Sequence, residues 1–445
     1  MTLASVFFLL ALALARVIRF AEVVAYDNSY HDNVVVYWGQ NSYGAKHSDT
    51  SYFQKPISYY CQDDAIDVIP IAFVGAFFGT GGMPALNLAN TCNPTDNATF
   101  SGTDLADCSA LASDIGYCQQ RGKIVTISLG GASGSVGFVN DTQAQTFAQT
   151  IWDLFLGGNS TTRPFGTAVL DGIDLDIEGG GSTGYAAFVT KIRSLASRAE
   201  KQYYVTAAPQ CPFPDAYLGS VMNQVGFDAI YVQFYNNFCG LENYNVVSDW
   251  DFGIWDIWAR QSSPNPNVKI YLGAPASRTA AGTGYIPIGN LSSIAVRMRE
   301  SFPSFGGVML WDASQAYANN SYVAGQVYLA GSQVSYRGYV WQADYWTNSV
   351  PGGSSSDYWS ALSACDGYTA TSTSVAAAAT SSAASLTASA TGTCSGVPGW
   401  QSGVAYTGGE EVTYKGDLWT AKYWTENDTP GGSAGSWTDD RPCTT

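Results

Sequence analysis

The chain has 445 residues and a formal net charge of -16 at pH 7. Such an acidic surface repels nucleic acid and anionic membranes, so we expect neither of them as a partner. Only 13% of the residues are charged, while glycine, serine, threonine, tyrosine and tryptophan are plentiful, which favours a neutral, hydroxyl-rich ligand. The length indicates one large domain with smaller additions rather than a single compact core.

The N-terminal segment and the cysteines indicate secretion, to the medium or the cell wall. The apolar run SVFFLLALALA at 5–15 is too short to span a bilayer and is typical of a signal-peptide core, with cleavage expected after Ala15 or Ala25. Nine cysteines without a Cys-x-x-Cys pair fit an oxidising compartment, and with only two histidines we expect no metal, no cofactor and no Ser-His-Asp triad. Glycosylation sequons begin at Asn97, Asn140, Asn159, Asn290, Asn319 and Asn427.

Eight short apolar runs, separated by longer mixed segments, indicate the fold. They lie at 34–38, 68–73, 124–129, 172–177, 203–207, 229–234, 268–272 and 307–311, with helical patterns at 144–156 and 185–201 between them. Continuous apolar strands that alternate with helices predict a parallel sheet, and eight of them predict a (β/α)8 TIM barrel. The alternative is a doubly wound open sheet, but no Gly-x-Gly-x-x-Gly sequence follows the first run.

The stretch DGIDLDIEGG at 171–180 places four carboxylates among glycines and branched apolar residues. Side chains alternate between the two faces of a strand, so Asp174, Asp176 and Glu178 share one face. Carboxylates this close raise one another's pKa, and a carboxyl group that stays protonated near neutral pH can act as a general acid. Asp171 has the other parity, so we expect it to order the start of the strand. The alternative is a calcium site, but calcium loops are polar and rich in turns.

Polar and aromatic residues gather after the predicted strands, where the active sites of such barrels lie. They are Tyr37, Trp38, Gln40 and Asn41 after the first run, Ser128, Gly130 and Gly131 after the third, Gln233, Tyr235, Asn236 and Asn237 after the sixth, and Trp311 after the eighth. Glycine pairs at 130–131 and 179–180 remove side chains where a substrate or another backbone approaches closely. We expect Asp174 to lie deepest in this site and Glu178 nearest its mouth.

After Trp311 a segment repeats itself at an offset of 78 residues. The pattern Tyr-x-x-Gly-x-x-Val-x-Tyr-x-Gly occurs at 328–338 and again at 406–416. It predicts two copies of one small all-β module, at 316–365 and 394–445, with hairpin turns at 337–338 and 415–416. Between them, 366–393 is almost entirely alanine, serine and threonine, which predicts a flexible linker.

The motif Asp171-x-x-Asp174-x-Asp176-x-Glu178, with SLGG at 128–131, resembles the signature of glycoside hydrolase family 18. Further segments are similar to the plant- and fungal-type class III chitinases: YWGQN at 37–41, LGG at 156–158, AAPQCPFPD at 207–215, VQFYNN at 232–237 and GGVMLW at 306–311. This resemblance covers about residues 30–315 and implies a catalytic domain at 26–315 after a signal peptide at 1–25. The two repeats resemble, more weakly, the chitin-binding modules of family 5/12.

The resemblance implies a secreted endo-chitinase that cuts β-1,4-N-acetylglucosamine linkages by a retaining, substrate-assisted mechanism. Glu178 would protonate the glycosidic oxygen, and the substrate's own acetamido oxygen would attack the anomeric carbon. Asp176 would hold the acetamido N–H, Asp174 would share a proton or hydrogen bond with Asp176, and Tyr235 would donate to the acetamido oxygen. Substrate-binding roles are implied for Tyr37, Gln40, Gly130, Gly131, Gln233, Asn237 and Trp311, the last as the floor beneath the sugar.

The same resemblance implies three disulfides, Cys61–Cys118, Cys92–Cys108 and Cys211–Cys239, and cis peptides at Ala72–Phe73 and Trp311–Asp312. Cys394 and Cys443 bracket the second module and could form a bridge, which leaves Cys365 without an assigned partner. The module residues expected to bind chitin are Trp341, Tyr345, Trp346, Trp419, Tyr423 and Trp424. In each adjacent Tyr-Trp pair the two side chains face opposite ways, so we expect one to pack and the other to be exposed.

Other functions remain open at this point. An endo-β-N-acetylglucosaminidase acting on glycoproteins shares the carboxylate motif, and a non-catalytic chitin-binding lectin or inhibitor can use the same barrel. A wall-anchored carbohydrate binder would need only the two modules. Lectins and inhibitors of this type typically lack the acid or its aspartate neighbour, and both are present here. We expect a monomer whose partners are chitin or chito-oligosaccharides.

Overall fold

The computed structural model describes residues 25–318, 333–336, 339–343, 345, 347–352, 358–364, 397–402, 405–406, 411–421, 425–426, 428–432 and 436–442. The chain divides into two compact units, 1–368 and 369–445. Several predicted features lie outside the described residues. They are the signal segment up to residue 24, the linker 366–393, the sequons at Asn319 and Asn427, and the residues Trp346, Cys365, Cys394, Tyr423, Trp424 and Cys443.

Eight parallel strands close into a barrel, because the first strand pairs with both the second and the last strand of the ring. Each of the eight apolar runs forms one of these strands, so the TIM-barrel prediction is confirmed and the open-sheet alternative is wrong. A further short strand, β3, pairs antiparallel with β2 beside the ring. The strands are β1 Asn33–Val36, β2 Val68–Ala76, β3 Ala85–Leu86, β4 Ile124–Gly130, β5 Gly172–Asp176, β6 Tyr204–Ala207, β7 Ala229–Gln233, β8 Lys269–Pro275 and β9 Phe305–Trp311.

Helices connect the strands and cover the apolar outer surface of the barrel. The first predicted helix begins after Asn140, whose side-chain oxygen accepts the backbone N–H of Gln143 at 2.9 Å and so caps the helix. The second predicted helix ends earlier than expected, at Ala196. The α-helices are α1 Ile57–Tyr60, α2 Ala112–Gln120, α3 Asp141–Phe155, α4 Tyr185–Ala196, α5 Gly219–Met222, α6 Phe252–Gln261, α7 Ile288–Ser301 and α8 Ala313–Ala318, and short 3-10 helices lie at Thr50–Tyr52, Thr80–Gly82, Ser109–Leu111 and Leu241–Asn243.

The two faces of β5 belong to different layers of the barrel. Ile173, Leu175 and Ile177 lie in the apolar core between strands and helices, and none is more than 1% exposed. Burial of such side chains stabilises the fold by about 1.5–3 kcal/mol each. Asp174 and Asp176 point into the barrel, so the predicted alternation is confirmed. A one-residue slip would exchange the two faces, and the apolar face therefore fixes the register that carries the carboxylates inward.

Small antiparallel sheets in the C-terminal part of the chain repeat at the predicted offset. In both three-stranded sheets a valine faces a tryptophan across the first hairpin and an alanine faces a tryptophan across the second, as the pairs Val334–Trp341 and Ala343–Trp359 and the pairs Val412–Trp419 and Ala421–Trp437. The sequence repeat is therefore also a repeat of strand register. The strands are β10 Gln333–Tyr336, β11 Tyr339–Ala343, β12 Trp359–Ala364, β13 Ala405–Tyr406, β14 Glu411–Tyr414, β15 Asp417–Ala421, β16 Thr425–Glu426 and β17 Trp437–Pro442.

Covalent and backbone features of the barrel agree with those implied by the family resemblance. The expected disulfides and cis peptides are present, as Cys61–Cys118, Cys92–Cys108, Cys211–Cys239, Ala72–Phe73 and Trp311–Asp312. A further cis peptide precedes Pro214. Within the described residues, the helices lack the combination of length and apolar character needed to cross a membrane.

Candidate active site

The deepest carboxylate, Asp174, is held by hydroxyl groups that lie in or just after three other strands, β1, β4 and β6. Its Oδ2 accepts hydrogen bonds from Tyr37 at 2.7 Å and Ser128 at 2.6 Å, and its Oδ1 accepts one from Thr206 at 2.7 Å. Asp174 is fully buried. Burial raises the pKa of Asp174, and the three hydroxyl donors oppose that rise.

The next carboxylate, Asp176, is 4% exposed and faces Gln233 and Glu178. Gln233 Nε2 donates to Asp176 Oδ1 at 2.9 Å and to the carbonyl oxygen of Ala208 at 2.9 Å. Burial raises the pKa of Asp176 well above its usual range, and the charges of Glu178 and Asp174 raise it further. The charge of Asp174 acts on Asp176, while the side-chain hydrogen bonds that Asp174 accepts come from hydroxyl groups.

Glu178 follows the end of β5 and is the most exposed of the three carboxylates. Burial raises the pKa of Glu178, while hydrogen bonds with Gln210 and Gln233 lower it. Asn237 Nδ2 donates to Gln210 Oε1 at 3.2 Å and so orients the amide beside Glu178. Two neighbouring carboxyl groups with raised pKa values titrate as a pair and can hold one proton near neutral pH. This arrangement can supply a general acid at the mouth of the barrel.

Aromatic side chains cluster inside the barrel next to the carboxylates. The Trp311 ring stacks on Phe73, with centroids 5.8 Å apart, and tilts against Tyr37 at 5.7 Å. Tyr235 is 6% exposed. Burial raises the pKa of Tyr235, and the charges of Asp176 and Glu178 raise it further, so its hydroxyl stays protonated and can donate a hydrogen bond.

Two residues expected to contact the substrate are instead committed to other side chains. Tyr37 is 1% exposed, and its hydroxyl group donates a hydrogen bond to Asp174. Gln233 is also buried, and its amide nitrogen is bonded to Asp176 and to the backbone. Both therefore position carboxylates. Gln40 makes a similar contribution to the backbone, because its Nε2 donates to the carbonyl oxygens of Ala72 and Asn87 at 2.9 Å each.

The glycine pair at the end of β4 has a packing role. A Cβ on Gly130 would lie 2.0 Å from the carbonyl oxygen of Asp176, and a Cβ on Gly131 would lie 2.8 Å from the Phe73 ring. Both glycines also have positive φ, +120° and +83°. The close approach of the β5 backbone and of the Phe73 ring therefore leaves no room for a side chain at either position.

Asp171 lies at the opposite end of β5, at the start of the strand, as expected. Its Oδ2 accepts the backbone N–H of Val125 at 2.8 Å and the amide of Gln119 at 2.9 Å, and its Oδ1 pairs with Lys201 at 2.8 Å. Asp171 therefore ties β5 to β4 and to the segment after α4.

Several site residues were not in the predicted set. Thr206 lies inside an ordinary strand sequence, and only its position opposite Asp174 in the β5–β6 register gives it a role. Phe73 becomes the partner of Trp311 through the closure of the barrel. Gln210 lies within the AAPQCPFPD segment, so that motif was the available signal for it.

The described module residues separate into packed and exposed aromatics. Trp341 and Trp419 are partly buried, and their indole N–H groups donate to backbone carbonyls five residues earlier, at 3.0 and 3.3 Å. A Cβ on Gly352 or Gly431 would lie 3.0 or 3.1 Å from these rings. Tyr345, by contrast, is 55% exposed. Trp341 and Trp419, both expected to bind chitin, thus also take part in the packing of their sheets.

A closed barrel with buried, like-charged carboxyl groups at the open end of its fourth parallel strand has the architecture of a barrel hydrolase that uses acid catalysis. The comparison with family models identifies the family of hydrolases. The chain belongs to the glycosyl hydrolases family 18, whose model matches residues 33–285. The model of carbohydrate-binding module family 5/12 matches residues 399–438.

Individual relatives agree with this membership. Chitinase 2 of Rhizopus oligosporus is 46% identical over 326 residues, which are 73% of this chain and 57% of that protein. The class III chitinase of Arthroderma benhamiae is 40% identical over 326 residues, 69% of this chain and 90% of that protein. Among solved structures, the ICChI chitinase from Ipomoea carnea is 34% identical with a TM-score of 0.53, over 64% of this chain and 96% of that one. The chain spans little more than half the length of the Rhizopus protein.

Proposed function

We propose that this protein is a secreted endo-chitinase that hydrolyses β-1,4-N-acetylglucosamine linkages. The observation that carries the proposal is the ladder of Asp174, Asp176 and Glu178, in which the two aspartates are buried, Glu178 is partly exposed and the pKa values of all three carboxyl groups are raised. The proteins named chitinases among the relatives support the same activity. Chitin is neutral, so aromatic contacts and neutral hydrogen bonds would hold it in this acidic protein.

The proposed reaction uses the substrate as its own nucleophile. Glu178 donates its proton to the glycosidic oxygen, while the 2-acetamido oxygen attacks the anomeric carbon and forms an oxazolinium ion, which water then opens with retention of configuration. Asp176 accepts the acetamido N–H and offsets the positive charge. Tyr235 donates to the acetamido oxygen, and Trp311 is the floor beneath that sugar.

The remaining residues position this machinery in the proposed mechanism. Tyr37 fixes Asp174, Gln233 fixes Asp176, and Asn237 fixes Gln210 beside Glu178. Asp174 acts through its charge, which raises the pKa of Asp176. The three hydroxyl donors on Asp174 suit a carboxylate that accepts hydrogen bonds and leave little room for the calcium alternative, in which oxygen atoms would surround a cation.

The proposed organisation of the chain is a signal peptide at 1–25, the catalytic domain at 26–315, a first chitin-binding module at 316–365, a linker at 366–393 and a second module at 394–445. The family match at 399–438 supports binding by the second copy. The shared strand register at an offset of 78 supports the same assignment for the first copy. The disulfides support secretion. We expect the protein to act as a monomer.

The test of the activity uses three substrates. The intact protein should release soluble oligomers from colloidal chitin and should leave fully deacetylated chitosan uncut, because chitosan lacks the attacking acetamido group. Release of glycans from a high-mannose glycoprotein, without activity on chitin, would favour the endo-β-N-acetylglucosaminidase alternative. Binding to chitin without any cleavage would favour a lectin and contradict the proposal.

The test of the modules compares an exposed aromatic with a packed one. Tyr345→Ala should weaken retention on chitin by several-fold while the first module stays folded, because Tyr345 is 55% exposed and, among the described residues, its ring meets that of Tyr358 edge-on at 6.3 Å. Trp341→Ala should instead destabilise that module. Deletion of 316–365 and of 394–445 measures the share of each copy, and unchanged retention after both deletions would contradict the assignment.

A further inference from the structure

One polar residue of the VQFYNN segment, Asn236, has no role in the proposed chemistry. Asn236 follows Tyr235 after the end of β7 and has a left-handed backbone, with φ +57°. Its side chain is exposed, yet its Oδ1 accepts two consecutive backbone N–H groups, from Gly282 at 2.8 Å and from Thr283 at 3.2 Å. Both belong to the connection 276–287 between β8 and α7, which we call the β8–α7 loop.

The β8–α7 loop lies directly against the main chain and the Cβ of Tyr235. Gly284 has φ +95°, and a Cβ there would lie 2.4 Å from Tyr235 Cβ and 2.6 Å from Tyr235 Cα. Ala281 of the same loop packs against the aromatic cluster inside the barrel that contains Tyr235 and adjoins Trp311. The loop is therefore a wall of the site, and its backbone, rather than a side chain, touches Tyr235.

We propose that Asn236 is a positioning residue for Tyr235. Its carboxamide holds the β8–α7 loop so that Gly284 fixes the Cα–Cβ bond of Tyr235, and this bond directs the phenol toward Asp176 and Glu178. The inference rests on the proposed function, in which the Tyr235 hydroxyl aligns the acetamido oxygen for attack. An attacking group needs accurate placement, and a displacement of about 1 Å can cost up to about a hundredfold in rate.

The test compares a substitution that removes the hydrogen-bond acceptor with one that keeps an oxygen acceptor and adds a negative charge. Asn236→Gly tolerates the left-handed backbone but removes Oδ1, whereas Asn236→Asp keeps an oxygen in that place. For hydrolysis of chitopentaose we expect kcat in Asn236→Gly to fall about tenfold, with KM within about twofold of the wild-type value. In Asn236→Asp we expect kcat to lie within about threefold of the wild-type value. Because Asn236 is exposed, the thermal midpoint should change little, and rates are compared at equal folded fraction.

A double-mutant cycle with Tyr235→Phe decides how Asn236 acts. If it acts through the Tyr235 hydroxyl, Asn236→Gly should cause no further loss in the Tyr235→Phe background. The matched control is Asn265→Gly, since Asn265 also bonds to backbone, at Phe227 and Asn267, but lies between α6 and β8 at the other end of the barrel. It should leave kcat unchanged.

Three results would overturn the inference. They are a wild-type kcat in Asn236→Gly, additive losses in the double mutant, and failure of Asn236→Asp to recover activity. In all three cases wild-type activity on chitin would leave the proposed function intact. A wild-type protein without activity on chitin would contradict the proposed function and the inference together.

Discussion

The aspartates at the two ends of strand β5 are buried to nearly the same degree but have opposite kinds of neighbours. Asp171, at the start of the strand, is 6% exposed, and Asp176, at its end, is 4% exposed. Asp171 pairs with Lys201 at 2.8 Å and accepts N–H groups from Val125 and Gln119. Asp176 receives one amide hydrogen bond, from Gln233, and otherwise faces further carboxyl groups.

The presence or absence of a cationic partner distinguishes structural from functional carboxyl groups here better than their burial does. Among the described residues, no lysine, arginine or histidine forms an ion pair with Asp174, Asp176 or Glu178. A buried carboxylate without a cation is unfavourable in its charged form, so its pKa rises and it keeps a proton. At the start of β5 an aspartate is paired with a cation and has a structural role. At the end of β5 an aspartate without a cation has a raised pKa and suits acid catalysis.

The largest expected effect is on hydrolysis and depends on the end of the strand that is changed. Glu178→Gln should lower kcat for chitopentaose by about a thousandfold, because the amide cannot protonate the leaving oxygen. Asp171→Asn should leave kcat within about twofold when rates are expressed per folded molecule. Equal losses in the two variants would mean that the ends do not differ in function.

A smaller effect should follow from loss of a single hydroxyl beneath the ladder. Tyr37→Phe removes one of the donors that lower the pKa of Asp174, so that pKa rises further and the acid limb of the profile of kcat/KM should move to higher pH. We expect kcat/KM near neutral pH to fall about tenfold. Tyr185→Phe is the matched control, because Tyr185 is equally buried but lies in the outer, helix-covered core. An unmoved acid limb in Tyr37→Phe would show that Asp174 does not couple to the reaction.

The smallest effect, on stability, should have opposite signs at the two ends. The pKa of Asp176 is higher in the folded than in the unfolded state, so the cost of burying its charge is absent below the unfolded pKa of about 3.9 and grows as the pH rises above it. Asp176→Asn should therefore raise the free energy of unfolding near neutral pH and lose this advantage in acid. Asp171→Asn should lower that free energy by about 1 kcal/mol, because it weakens the contact with Lys201. Urea unfolding across the acidic and neutral range measures both, and the same sign at both ends would contradict the comparison.

The sequence predicted the barrel well, because its strands are continuous apolar runs and the alternation on β5 has only one register that buries the isoleucines. It also predicted which carboxylates share a face. It did not predict which partners hold Asp174, since these are hydroxyl groups of Tyr37, Ser128 and Thr206, which lie in or just after three other strands.

The neighbours that a residue meets after folding were equally hard to predict from the sequence, both in the barrel and in the C-terminal sheets. The sequence left open whether Gly130 and Gly131 make room for a substrate or for another backbone, and in the structure the β5 backbone and the Phe73 ring lie beside them. Trp341 and Trp419 look like binding aromatics in the repeats, but neighbouring glycines lie against their rings. Local patterns identify such residues as special, and only long-range pairing tells which neighbour each one meets.

The most direct measurement detects the proton that Asp176 and Glu178 are expected to share near neutral pH. Infrared difference spectra near neutral pH compare the wild-type protein with Asp176→Asn and with Asp171→Asn. A carbonyl band of a protonated, buried carboxyl group should be present in the wild type and in Asp171→Asn, and it should be lost or weakened in Asp176→Asn. Identical spectra without such a band in all three proteins would contradict the claim that this end of β5 holds a proton because it lacks a cation.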